Sequence, residues 1–140
     1  MTAAPKPAAE STSWISVPIS PGELLDRLTI LEIKAERITD AIKRTNVEFE
    51  RRNLEALAAE VLPGDSEIDR LRAEIRAINA ALWDIEDAIR DHERRGEFGP
   101  SFIELARAVY RTNDRRAALK RAVNDHLGST IVEEKSYAAY

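Results

Sequence analysis

The sequence predicts an all-α protein, an up-down-up three-helix bundle with coiled-coil-like packing and short extended arms at its N- and C-terminal ends. Three observations carry that expectation. Of the 140 residues, 33% are charged and only 6% aromatic, with Gly 5 and Cys 0, a helix-former's composition. Apolar residues recur every three or four positions through three long segments. Pro63-Gly64 and Gly99-Pro100 punctuate the chain between those segments.

Residues 1–13 are small and polar with two prolines, and they read as a disordered leader rather than a signal peptide. Residues 14–140 then form a single helical domain. Trp14 to Ile19 alternates apolar residues but is too short for a strand that stands alone, so it should lie extended over the bundle. The first helix opens on Ser20 as N-cap, Pro21 at the first helical position and Glu23 at the third, with Ile19 and Leu24 placed for a hydrophobic staple. Leu24, Leu28, Leu31, Ala35, Ile38, Ile42, Thr45 and Phe49 keep a four-three spacing. Leu54, Leu57 and Val61 then leave that register. This predicts a helix over about 21–61 with a bend or break near 46–53.

The second helix, 67–95, starts at Asp65 or Ser66 with Glu67 and Asp69 in its positive first turn. Ile68, Leu71, Ile75, Ile78, Leu82, Ile85 and Ile89 form its stripe, and Arg94, Arg95 and Gly96 close it. The third helix, 102–127, follows what reads as a capping box from Ser101 to Glu104. Its stripe runs through Leu105, Val109, Leu119 and Val123, is interrupted from Thr112 to Arg116, and stops at Gly128. Short connections make consecutive helices antiparallel neighbours. At about 1.5 Å per residue an unbroken first helix spans roughly 60 Å against roughly 40 Å for its partners. Its far half would then project and expose Leu54, Leu57 and Val61 unless a second chain covers them, so a protein partner or homodimer is expected.

The string from Ile19 to Lys34, with Ser20-Pro21-Gly22-Glu23-Leu24-Leu25-Asp26-Arg27-Leu28 at its centre, resembles the opening of a family of short bacterial proteins classed as a domain of unknown function. Leu82-Trp83-Asp84-Ile85-Glu86-Asp87, Leu105-Ala106-Arg107-Ala108-Val109-Tyr110, Asn113-Asp114 and Glu133-Glu134-Lys135-Ser136-Tyr137 extend the similarity over nearly the whole chain after the leader. The resemblance implies a small helical protein and brings no activity with it.

Several chemistries are excluded. Without cysteine there is no thiol catalysis, thiolate zinc site or disulfide, and two histidines cannot make a three-histidine centre. The net charge is −4, and basic pairs lack interleaved aromatics, which argues against nucleic acid. No window has the length and apolarity of a membrane span, so a cytoplasmic protein is expected. Phosphate loops, nucleophile elbows and zinc-protease motifs are absent, so no cofactor and no catalytic residue is assigned.

What remains are four constellations. Arg107, Arg111 and Arg115 share one helical face with Tyr110 beside them, an arrangement suited to phosphate or carboxylate; that face could equally dock on the acidic second helix. Asn79, Asn113 and Arg116, near Trp83, fall on or beside core positions and suggest either a register-fixing polar core or a small polar pocket. Glu32 and Glu86 flank the seams of two helices, where they could meet over a divalent metal or lie on solvated faces. In the tail, Glu133 and Glu134 could cover the Arg107–Arg115 face in cis. Two functions follow: a non-enzymatic interaction or assembly module, or a binding protein or enzyme for a phosphorylated or carboxylated small molecule at the arginine face, with Glu32 and Glu86 as candidate ligands of a divalent metal.

Overall fold

The computed structural model describes residues 14–140; the leader expected over residues 1–13 lies outside the described residues. Among them the chain forms four helices and no strand: α1 Pro21–Arg37, α2 Ala41–Val61, α3 Ser66–Arg95 and α4 Pro100–Leu127. The three-helix expectation is corrected to four because the first segment breaks at Ile38–Asp40 rather than near 46–53. Ile38 turns extended and donates its N–H back to Lys34 O. Asp40 then caps a new helix by accepting from Lys43 N–H at 2.9 Å. Through 46–53, where the break was expected, α2 is continuous.

The register change past Phe49 has a different cause. Leu54 and Ala58 face α1 and help enclose Leu24 and Leu28 in one core cluster. Ile42 and Phe49 lie on the solvent side, with Ile42 76% exposed. A slip between two faces of one helix was thus legible as a break. Because α2 folds back along α1, the 60 Å helix does not exist.

α1 is the hub, packed against each of the other three helices, whereas α2 has backbone contact with α1 alone. The second core cluster joins α1 to α3 and α4 through Leu25, Ile68, Leu71, Ile75 and Val123. Apolar burial of this kind stabilises each fully enclosed side chain by roughly 1.5–3 kcal/mol.

α3 and α4 run antiparallel over their whole length. Asp65 meets His126 at one end, Asn79 meets Arg116 at mid-length, and His92 meets Ser101 at the other. Ser101 is therefore not the cap expected of it: Gly99 caps α4 without a side-chain bond, and the Ser101 hydroxyl pairs with His92 Nε2 at 3.0 Å. α1 covers only the half of this hairpin near its open end. From Ala80 to Arg111 no residue is buried. The farthest polar tie from α1 is Arg37 to Asp84 at 2.6 Å. So a projecting hairpin exists, but at the α3–α4 turn rather than at the α1 end.

Gly96 (φ 67) and Gly128 (φ 64) end α3 and α4 in the left-handed conformation that glycine adopts without strain. After Gly128 the tail, Ser129 to Tyr140, has no regular structure and runs back along α4 as a strap. The N-terminal arm is likewise irregular, with the Trp14 ring 6.4 Å from Phe49.

Candidate functional site

Polar side chains converge where α1, α3 and α4 meet. Asp26 and Thr29 sit on α1 one turn apart, each directly after a core leucine (Leu25 and Leu28), and are carried into the interior with them. Asn79 on α3 meets both: its amide nitrogen donates to Asp26 Oδ1 at 2.9 Å and to Thr29 Oγ1 at 3.0 Å. The Asn79 carbonyl oxygen accepts from Arg116 at 3.1 Å, and a second guanidinium nitrogen donates to Asn113 Oδ1 at 2.8 Å. One amide thus bridges a buried carboxylate to a half-buried guanidinium, with its dipole aligned to both charges. Interior polar groups linked in this way are expensive to disrupt because each has exchanged water for a specific partner.

A second node surrounds Lys120. Its ammonium lies 2.6 Å from Glu23, 3.1 Å from Glu133 and 3.8 Å from Asp26. Ser20 joins it twice, capping α1 by accepting from Glu23 N–H at 3.1 Å and donating its hydroxyl to Glu133. Asn124 accepts the Gly22 N–H at 2.8 Å, which fixes the start of α1 on α4. Farther along the strap, Lys135 pairs with Asp114 at 3.0 Å, and the rings of Tyr140 and Tyr110 lie 4.9 Å apart.

The electrostatics follow from these pairs. Burial pushes the Glu23 carboxyl up, but the hydrogen bonds and charges of Lys120 and Arg27 outweigh it and hold Glu23 below its ordinary value. Burial pulls the Lys120 ammonium down, and Glu23 and Glu133 outweigh that too, leaving it above its ordinary value. Asp114 is lowered by Lys135 and Tyr140, while Tyr140 is raised by Asp114.

Glu23's contribution is present above the usual carboxylate range and is lost as pH falls through its lowered value; Lys120's is present below the usual lysine range and is lost as pH rises through its raised value. The melting-temperature advantage of the natural chain over Lys120→Met should be flat from about pH 6 to 9 and shrink below about pH 4. An advantage undiminished at about pH 3 would contradict the ion pair.

The sequence candidates fall into separate places. Asn79, Asn113 and Arg116 come together in the network just described. Trp83 does not join them; its ring lies under the Arg37 guanidinium at 5.9 Å. Arg107 and Arg111 share Glu104 of their own helix at 3.2 and 3.4 Å. Arg115 lines a separate groove with Glu74, Ile78 and Leu119. Tyr110 reaches the tail. Glu32 is held by Arg72 and Arg76, and Glu86 by Arg90, so these carboxylates have different partners; no metal-holding cluster of carboxylate or histidine side chains forms among the described residues.

The tail docks on α4 farther along than expected. Glu133 reaches Lys120, and Glu134 lies 4.0 Å from Arg121. The reason is reach: Glu133 and Glu134 follow the turn at Gly128 by only five and six residues, so they meet α4 at Lys120 and Arg121, more than three helical turns short of Arg107. Sequence reasoning did not single out Ser20, Glu23, Asp26, Thr29, Lys120 or Asn124 as site residues. A signal existed for two of them, since Asp26 and Thr29 are polar residues that each directly follow a leucine of the core, Leu25 and Leu28.

Residues 15–140 match a family described as a family of unknown function (DUF6165). No curated protein and no solved structure matches the chain. No described helix is long and apolar enough to cross a membrane.

Proposed function

The chain belongs to this family of unknown function, and we propose that its role is that of a non-enzymatic assembly module whose α3–α4 hairpin is covered by a second copy. One observation carries the reading: the outer half of the hairpin has no third helix. Leu82, Ile85, Ile89, Leu105 and Val109 are only half-buried, and at the tip Phe98 is 52% and Ile103 55% exposed. Helices draw most of their stability from packing an apolar face against neighbours, and exposed apolar stripes at helical spacing mark association surfaces. The flanking charges do not oppose a second copy, because Arg90, Arg94 and Arg107 are each paired within the chain, with Glu86, Asp91 and Glu104, and leave the rim without net charge. Coiled-coil-like pairing of two such hairpins would cover both stripes.

The anion reading of the arginine face has less support, since Glu104 already serves both Arg107 and Arg111. Sedimentation equilibrium tests the proposal. The natural chain should have the mass of two chains at concentrations well above micromolar, and Phe98→Lys with Ile103→Lys should reduce it to one. A single-chain mass for the natural protein would overturn the reading. So would a dimer that survives those changes and is lost with Ile42→Lys and Phe49→Lys on α2.

A further inference from the structure

We propose that the cleft between α4 and the C-terminal strap binds a small organic carboxylate, with Arg116 as its anchor. The cleft encloses about 550 Å³, within the range of small-molecule sites. Val109, Tyr110 and Tyr137 give it apolar and aromatic walls, and Asn113, Arg116 and Lys120 line its polar side.

The charges of the lining decide the ligand class. Lys120 is matched by Glu23 and Glu133, Lys135 by Asp114, and Arg121 by Glu134 and Asp125. Of the four cations that line the cleft, Arg116 is the one with no carboxylate within ion-pair distance among the described residues; its partners are the neutral amide oxygens of Asn79 and Asn113. A guanidinium carries five N–H donors and stays protonated at any working pH. Two of those donors are used, so the group is held in a fixed orientation with others left to give.

A half-buried cation without a counter-charge is costly, and a carboxylate entering the cleft offsets that cost with paired hydrogen bonds. One unmatched positive charge selects a singly charged group over a phosphate dianion, which would also face Asp114, Glu133 and Glu134. The tyrosines suit a flat, apolar body attached to that carboxylate.

Proton–nitrogen NMR titration tests this with phenylacetate as probe, and phenylacetamide and phenyl phosphate as comparisons. Phenylacetate should shift the Arg116 Nε–H and Asn113 side-chain amide signals saturably, while phenylacetamide leaves them unmoved. Arg116→Lys should weaken phenylacetate by about tenfold, because an ammonium cannot pair with both oxygens as a guanidinium does. Should that variant fail to fold, Asn113→Ala decides, with an expected weakening of about threefold from loss of one orienting bond. The proposal is overturned by the absence of saturable shifts, by an equal response to phenylacetamide, by undiminished binding in the folded variant, or by tighter binding of phenyl phosphate.

Discussion

Gly22→Ala is expected to destabilise the protein by about 3 kcal/mol, the upper end of the usual overpacking cost. Gly22 is buried in the first turn of α1, against α4. A Cβ built there would lie 2.5 Å from the Lys120 carbonyl oxygen, 3.0 Å from its carbonyl carbon and 2.9 Å from Asn124 Oδ1. Two of the three obstacles are helix backbone, which cannot swing aside. The third is the side chain that accepts the Gly22 N–H. To admit the methyl, α1 must lift from α4 where Ser20, Glu23 and Asp26 meet Lys120 and Glu133. A melting temperature about 10 °C lower is the corresponding shift for a chain of this size. Gly64→Ala is the matched control: nothing lies within 4 Å of its added Cβ and its φ is not positive, so stability should stay within about 0.5 kcal/mol. Equal melting temperatures for the two variants would mean that α1 does not start on α4 as described.

Asn79→Leu should cost about 3 kcal/mol despite its similar volume, because it leaves a carboxylate and a guanidinium without their shared partner. The affected groups are Asp26 at 7% exposure, Thr29 at 0% and the half-buried Arg116. The pairwise nature of the loss is testable by a double-mutant cycle. Asp26→Leu with Asn79→Leu should lose less than the two single changes summed, since the second removes a group already orphaned by the first. Strict additivity in chemical denaturation would contradict the bridging role of Asn79.

Four caps and stops were legible because they act within one turn, whereas the box read from Ser101 did not form, its hydroxyl pairing with His92 instead. Ser20, Asp65, Gly96 and Gly128 perform in space what their positions imply. The break at Ile38–Asp40 was obscured because apolar spacing runs through it: Ile38, Ile42 and Phe49 continue the α1 stripe, though Ile42 and Phe49 face solvent. Periodicity reports a face, and it does not say whether anything covers that face. Asn79, Asn113 and Arg116 stood out as polar residues on apolar spacing. Lys120 did not: Glu133 and Glu134 were expected over the third helix at Arg107–Arg115, but they land on Lys120 and Arg121, a contact set by where the strap turns back and encoded by no local pattern. Trp83 was misplaced for a related reason: its partner Arg37 comes from the end of α1, whose position depends on the unanticipated turn.

An assembly surface on the outer α3–α4 hairpin brings the same positions of two copies close together, and a distance measured between chains reads this directly. The chain has no cysteine, so a single introduced thiol carries one spin label per copy. Ala106→Cys places it on the exposed outer half of α4. Pairing of two hairpins predicts a dipolar coupling between the labels of two copies that weakens when unlabelled chain is mixed in. No coupling at that position, in protein that melts like the natural chain, would contradict the claim.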